Sequence, residues 1–261
     1  MPSLDFHVSD VLHPYTTPQM LVDSSATMYE SQITFTLDTI CPWTYLAKRR
    51  LDAALAQARS LPEITSHDII FKPPLIRPYQ LYPDFLAADD GGGTDKYAWY
   101  RDTKYDGSEE RMQTYARLMA SYGAEAGINF SLRGVISNTL EAHRVIQQVQ
   151  EERGPEAAGR VVDALYRAYF EEEKAPASVE TLVAACQEAG IGRDEAERLV
   201  SERREDALRE TKRMVLEQKM DGVDSVPSIR IEGRRRDITL VGAKSVEEYV
   251  KALVTVAKES R

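Results

Sequence analysis

The sequence predicts an α/β protein in which a block of helices interrupts the order of strands and helices. Three observations support this prediction. Alternating apolar and polar residues mark short strands near both ends of the chain. From about residue 84 to 205, apolar residues recur instead at the three- and four-residue spacing of helices. The chain has 261 residues, of which 43% are hydrophobic, so it can bury one large core with a substantial insertion.

The first half of the predicted core covers residues 31–83. A strand is predicted at 31–37, where apolar and polar residues alternate. A helix is predicted at 43–59, followed by a second strand at 66–71. The prolines after this strand predict a loop.

Residues 84–205 are predicted to form a helical insertion. A run of aspartates and glycines near its start predicts a flexible stretch. Each segment that follows has one apolar face at helical spacing. The predicted helices are 95–102, 108–126, 138–152, 155–171, 178–189 and 193–203.

The second half of the predicted core covers residues 206–261. Ser245 starts the last helix, and Glu248 three residues later completes a capping-box pattern. Before that helix we predict a helix at 206–220 and two strands, joined by a hairpin turn, at 228–231 and 237–241.

Charge and composition exclude several classes of function. The net charge of −9 argues against binding to nucleic acid or to anionic membranes. No apolar run approaches the length of a membrane span. The four histidines lack metal-ligand spacing, so no metal is expected. Residues 1–30 show no periodicity and no secretory pattern, and we expect them to form an N-terminal arm.

The first candidate motif is Cys41-Pro42-Trp43-Thr44, between a predicted strand and a predicted helix. A helix N-terminus carries partial positive charge and unpaired N–H groups, which stabilise a thiolate. We therefore expect Cys41 to have a lowered pKa and to be nucleophilic. The alternative is a buried cysteine that packs as a small apolar group.

The second candidate motif is the segment 222–227, just before a predicted strand. The peptide bond between Val226 and Pro227 is either cis or an ordinary trans bond at the start of a strand. With the cis form, the backbone of Val226 is available to pair with an extended thiol peptide.

These motifs resemble the FrnE type of the DsbA-like thioredoxin-fold oxidoreductases. The resemblance begins with TLDTICPWTYLAKRRLDAAL at 36–55 and extends in order over about 31–255. Its related families include 2-hydroxychromene-2-carboxylate isomerases and kappa-class glutathione transferases. The other stretches that carry it are 71–75, 137–144, 166–170, 222–227 and 241–243.

The resemblance implies a thioredoxin-like core with a helical domain inserted between its halves. It places Val226 and Pro227 opposite Cys41, with a cis bond between them. The family's redox motif ends in a second cysteine, but this chain has Thr44 there. Without a resolving thiol, a two-cysteine cycle cannot run. Cys186 lies on an apolar helix face and is expected to be structural.

The resemblance also implies that part of the insertion faces the site. Asn138 either contacts a ligand or caps the helix that follows. His143 is either a general acid or base or, preferably, a structural histidine. Trp43 lines a substrate pocket or packs locally. Thr44 donates a hydrogen bond to a bound sulfur or caps its helix.

Three functions remain open from the sequence. The first is a thiol- or glutathione-dependent isomerase or transferase for a small organic substrate, with Cys41 and Thr44 as catalytic residues. The second is a monothiol disulfide oxidoreductase, and the third is a binding protein without catalysis. A cytoplasmic location and a homodimer are further expectations. Candidate partners for the carboxylates of glutathione, by residue type alone, are Arg133, Arg144 and Lys244.

The aromatic-rich segment at 97–105 also has two interpretations. It forms a lid over an apolar substrate, or it is a surface helix with one packed face. The second interpretation is preferred from sequence.

Overall fold

The computed structural model describes residues 28–86, 93–202 and 204–260. The predicted N-terminal arm at 1–30 lies outside the described residues, except for its last three. These three belong to or adjoin the first strand, which begins at Tyr29.

Within the described residues, eight strands form three sheets. The largest has the order β4-β2-β7-β8, in which β4 is parallel to β2 and the other neighbours are antiparallel. β1 pairs in parallel with β3, and β5 pairs with β6 in antiparallel fashion. The strands are β1 (Tyr29–Ser31), β2 (Ile33–Leu37), β3 (Ile69–Phe71), β4 (Leu75–Pro78), β5 (Thr94–Asp95), β6 (Val135–Ile136), β7 (Ser228–Ile231) and β8 (Ile238–Val241).

Strand β4 corrects the prediction of a loop after residue 71. One extra residue in the segment 72–74 interrupts the ladder, and Gln32 spans the gap by donating to the Pro73 carbonyl at 3.2 Å. Beyond this bulge, β4 pairs with β2, and the side chain of Gln150 accepts from the N–H of Ile76 at 2.7 Å. Long-range contacts therefore make a strand where local prolines predicted a loop.

Ten helices complete the described fold, and the six predicted between 84 and 205 are all present. α1 packs against α10, while α5 and α9 pack against β4. None of the helices in the described segments is long and apolar enough to cross a membrane. The helices are α1 (Pro42–Ala58), α2 (Pro62–Thr65), α3 (Lys96–Lys104), α4 (Glu109–Ala126), α5 (Leu140–Arg153), α6 (Pro155–Phe170), α7 (Val179–Glu188), α8 (Arg193–Ser201), α9 (Arg204–Met220) and α10 (Val246–Glu259).

The predicted local patterns are confirmed in the core. Ile33, Phe35 and Leu37 all point inward from β2 and are fully buried, as their alternation predicted. The N-terminus of α10 has the predicted capping box between Ser245 and Glu248. These elements bring the end of β2 and the start of α1 to one edge of the core, where the insertion covers them.

Arg144 is a structural residue, which corrects its proposed role in binding a carboxylate. Its side chain is fully buried on α5. The guanidinium donates to the carbonyl oxygens of Leu199 and Val200 at 2.8 and 2.7 Å, and to Glu141 at 2.6 Å. These bonds join α5 to the end of α8 and use the donors that a ligand would need.

We expect the substitution Arg144→Met to lower the free energy of unfolding by about 3 kcal/mol, because it leaves the carbonyl groups of Leu199 and Val200 without their donor and removes one of the two arginine partners of Glu141. The matched control is Arg153→Met, which removes a surface pair with Glu195 and should cost less than about 1 kcal/mol. Urea denaturation measures both. Equal costs would contradict the structural role of Arg144.

Candidate functional site

Cys41 is held at the start of α1 by a turn that begins at the end of β2. Its backbone is extended, with φ −88° and ψ 114°, and its N–H donates to the carbonyl of Asp38 at 3.0 Å. Pro42 occupies the first turn of the helix, where a missing N–H costs nothing. The thiol therefore lies at the helix N-terminus, as predicted.

The loop before β7 closes over the thiol. The Val226–Pro227 peptide bond is cis, which confirms the prediction. The Cys41 thiol donates to the Val226 carbonyl, with 3.8 Å between sulfur and oxygen. Cys41 is only 4% exposed, so the loop and the insertion leave the sulfur almost closed to solvent.

Burial reverses the expected acidity of Cys41. Removal from solvent raises the pKa of this thiol from 9.0 to about 12, and the charge of Asp38 adds to the increase. Hydrogen bonds from the Thr44 and Trp43 backbone lower the pKa but are outweighed. The prediction of a lowered pKa is therefore wrong for this arrangement, in which Cys41 remains a protonated thiol.

Thr44 occupies the position of a second cysteine, and its hydroxyl is turned into the helix. It is fully buried and lies 2.8 Å from the carbonyl oxygen of Asp38 and 2.6 Å from that of Cys41. This favours the capping role, although the hydroxyl also lowers the pKa of Cys41 through a hydrogen bond. Cys186 is a free, fully buried cysteine on α7, as expected for a structural residue.

Asp38 is a site residue that the sequence analysis missed. Its carboxylate is fully buried and accepts from the N–H of Leu81 at 2.8 Å. The other oxygen lies 3.3 Å from Nε2 of His143, which is also fully buried. His143 therefore pairs with an acid next to Cys41. The signal in the sequence was an acidic residue at the end of an apolar strand, three positions before the cysteine.

The side chain of Asn138 joins the start of α5 to the segment at Pro83 and Phe85 by hydrogen bonds. Its side-chain oxygen accepts from the N–H of Leu140 at 2.8 Å, within the first turn of α5. Its amide nitrogen donates to the carbonyl oxygens of Pro83 and Phe85 at 2.8 and 2.9 Å. These bonds use the polar groups of the Asn138 side chain and favour a structural role at the start of α5, next to the N-cap Thr139.

Aromatic side chains of the insertion face Cys41. Tyr100 on α3 and Tyr115 on α4 stack with ring centroids 5.5 Å apart. Burial raises the pKa of both hydroxyls, and neighbouring tyrosines and Cys41 add smaller contributions, so these rings lie within electrostatic range of the thiol. Trp99 contacts Tyr100 and, at 4.6 Å, Tyr82. We call Tyr82, Trp99, Tyr100 and Tyr115 the aromatic wall.

Trp43 contributes to packing next to this pocket. It is 36% exposed and contacts the ring of Tyr122 edge-on at 5.6 Å. Of the remaining candidates for binding carboxylates, Arg133 pairs with Glu173 at 2.9 Å. The hydrogen bonds of Lys244 to Tyr249 and Arg50 use only its main-chain groups.

Two grooves of the described structure lie away from the thiol. One of about 650 Å³ lies between α1, β3 and α6, and one of about 600 Å³ lies against the polar face of the sheet beside α9. Cys41, Val226 and Pro227 line neither of these two grooves. The described residues also contain no group of three or more His, Cys, Asp or Glu side chains placed to hold a metal.

The raised pKa predicts slow alkylation of Cys41. In a Cys186→Ala variant at pH 7.5, iodoacetamide should react on the order of a thousand-fold more slowly than with free cysteine, because little thiolate is present. The rate should keep rising beyond pH 10. Cys41→Ala is the matched control for labelling at Cys186. If the alkylation rate instead reached half of its maximum below pH 8, Cys41 would be a reactive thiolate and the raised pKa would be contradicted.

Comparisons with known proteins agree with this architecture. A family model described as DSBA-like thioredoxin domain matches residues 32–254. Comparison with curated protein sequences gives no match. A probable DsbA oxidoreductase from Streptomyces coelicolor is 24% identical with a TM-score of 0.71, covering 88% of this chain and 92% of the other.

Two more solved structures share the fold. A 2-hydroxychromene-2-carboxylate isomerase is 19% identical with a TM-score of 0.53, over 81% of this chain and 89% of the other. The cytosolic disulfide reductase DsbM from Pseudomonas aeruginosa, solved with GSH, is 13% identical with a TM-score of 0.50, over 86% and 96%. The core is thioredoxin-like with a helical insert, and the chain belongs to the family of DSBA-like thioredoxin domain proteins.

Proposed function

We propose that this protein is a thiol-dependent isomerase or transferase that uses glutathione as cosubstrate and acts on a small organic molecule. The observation that carries the proposal is the single thiol of Cys41 at the N-terminus of α1, with Thr44 in place of a second cysteine. A cytoplasmic location belongs to the same proposal, because both cysteines are free.

One thiol is sufficient for this chemistry. Disulfide exchange needs a second thiol to resolve the mixed disulfide. An isomerisation needs only a reversible addition: a thiolate forms a C–S bond with an electrophilic double bond, rotation occurs about the resulting single bond, and the C–S bond breaks again. No electrons are gained or lost, and the thiolate is regenerated.

The raised pKa gives Cys41 the role of donor rather than nucleophile. A thiol with a pKa of about 12 keeps its proton at neutral pH and can donate it in a hydrogen bond to the thiolate of bound glutathione. The N–H groups at the start of α1 favour the same anion. In the structure, this S–H instead donates to Val226, so the ligand must replace that contact.

The aromatic wall supports an organic substrate of moderate size. Its rings are half-buried on α3, α4 and the segment that carries Tyr82, and Tyr100 and Tyr115 lie within electrostatic range of Cys41. Flat apolar molecules pack well on such rings, while the hydroxyls are suited to a polar substituent. Because the sulfur is nearly closed off, substrate binding requires the wall to move.

Serine and alanine replacements of Cys41 separate a donor from a nucleophile. Cys41→Ser keeps a hydrogen-bond donor and should bind reduced glutathione with nearly unchanged affinity. Cys41→Ala should weaken binding about tenfold, the typical loss for one hydrogen bond to a charged group. Calorimetry measures both, with Cys186→Ala as control. Equal weakening by serine and alanine would contradict the donor role.

The variant Thr44→Cys tests the alternative of a monothiol disulfide oxidoreductase. Wild type should reduce insulin disulfides poorly with glutathione as reductant, and Thr44→Cys should be at least about tenfold faster because it supplies a resolving thiol. Thr44→Ser is the matched control. If wild type already equals Thr44→Cys, the oxidoreductase alternative is correct.

A further inference from the structure

Asp38 and His143 form a buried pair beside the thiol site. Nε2 of His143 lies 3.3 Å from the Asp38 carboxylate, so a neutral ring carries its hydrogen on Nε2 and donates it there. Nδ1 is buried and has no hydrogen-bond partner among the described residues. This nitrogen therefore keeps a free lone pair beside an acid that would stabilise the protonated ring.

The pair is directly connected to the thiol site. The carbonyl of Asp38 accepts from the N–H of Cys41 at 3.0 Å and from the hydroxyl of Thr44 at 2.8 Å. The negative charge of Asp38 also helps to keep Cys41 protonated. A change in the net charge of the pair therefore changes the electrostatic potential at the place where the cosubstrate sulfur is proposed to bind.

A thiolate bound at Cys41 poses a problem of charge. With neutral His143, Asp38 is a buried negative charge, and a thiolate beside it would be a second one in a region of low dielectric. Protonation of His143 neutralises the pair and removes this repulsion. The two events, thiolate binding and proton uptake, should then occur together.

The neighbouring ionisable groups in the described part of the chain do not supply the missing positive charge. Burial, with a smaller contribution from the charge of Asp38, raises the pKa values of Tyr79, Tyr166 and Tyr169, and all three phenols remain neutral at physiological pH. The Arg144 guanidinium, next to His143 on α5, is already paired with Glu141.

We infer that the Asp38–His143 pair takes up the proton that glutathione loses when it binds beside Cys41 as a thiolate. The inference rests on the proposed function. The S–H bond breaks and sulfur keeps the electron pair, while an N–H bond forms at Nδ1 of His143. The negative charge of the bound thiolate and the positive charge of the protonated His143 ring cancel. The net charge of the site therefore changes only by the charges on the other groups of glutathione. The pair acts through charge and does not touch the substrate.

Proton counting by calorimetry tests the inference. Reduced glutathione is titrated at pH 7.5 in buffers of different ionisation enthalpy, which gives the number of protons released per ligand bound. Wild type should release far less than one proton, whereas His143→Gln should release about one, because the acceptor is gone. His67→Gln, a histidine outside the site, is the matched control and should behave as wild type.

The variant Asp38→Asn provides a second readout that a purely structural role would not produce. Removing the negative charge should strengthen glutathione binding by about tenfold and raise proton release to about one. A structural role predicts weaker binding instead. Weaker binding by a folded Asp38→Asn, or one proton released by wild type and His143→Gln alike, would overturn the inference. Absence of binding to wild type would overturn the proposed function itself.

Discussion

The rest of the site depends on the hydrogen bonds of one residue, Asp38, at the end of β2. Its carbonyl accepts from Cys41 and Thr44 and so shapes the start of α1. Its carboxylate accepts from Leu81 in the core and faces His143 in the insertion. Because all these groups are buried, each would cost free energy if left unpaired. Asp38 therefore links three parts of the site, which are the thiol at the start of α1, the segment at Leu81 that follows β4, and the inserted domain.

The acidity of Cys41 is decided by a competition between two effects of known size. A helix N-terminus stabilises an anion by about 0.3–1 kcal/mol when exposed and by up to about 2 kcal/mol when partly buried. The change in pKa from 9.0 to about 12 corresponds to about 4 kcal/mol in the opposite direction. Desolvation therefore wins at this position, and the positive end of the helix remains free to act on the anion of a ligand.

This outcome separates the protein from a two-thiol oxidoreductase in physical terms. An oxidising thiol must lose its proton readily and have a partner thiol within reach. Here the proton is retained, and the partner position carries a hydroxyl that bonds to the backbone. In the proposed function, the same scaffold holds a sulfur anion, and the aromatic wall provides a surface for an organic molecule.

The sequence by itself determined the elements whose causes are local. The alternation in β2, the helical spacing of α3 to α8 and the capping box of α10 depend on residues two to four positions apart, and all were predicted. The loss of the second cysteine at Thr44 was equally visible. The family resemblance, rather than composition, supplied the cis bond before Pro227, because sequence alone favours trans.

Only the tertiary structure decided the properties that arise between distant segments. Asp38 and His143 are 105 residues apart, so their pairing leaves no local pattern. The burial of Cys41 depends on the loop at Val226 and on helices of the insertion, and this burial reversed the expected pKa. Strand β4 likewise depends on pairing with β2, and Asn138 depends on a hydrogen bond to Pro83, 55 residues earlier in the chain. Desolvation and long-range hydrogen bonds are properties of the folded environment, and a one-dimensional pattern does not specify them.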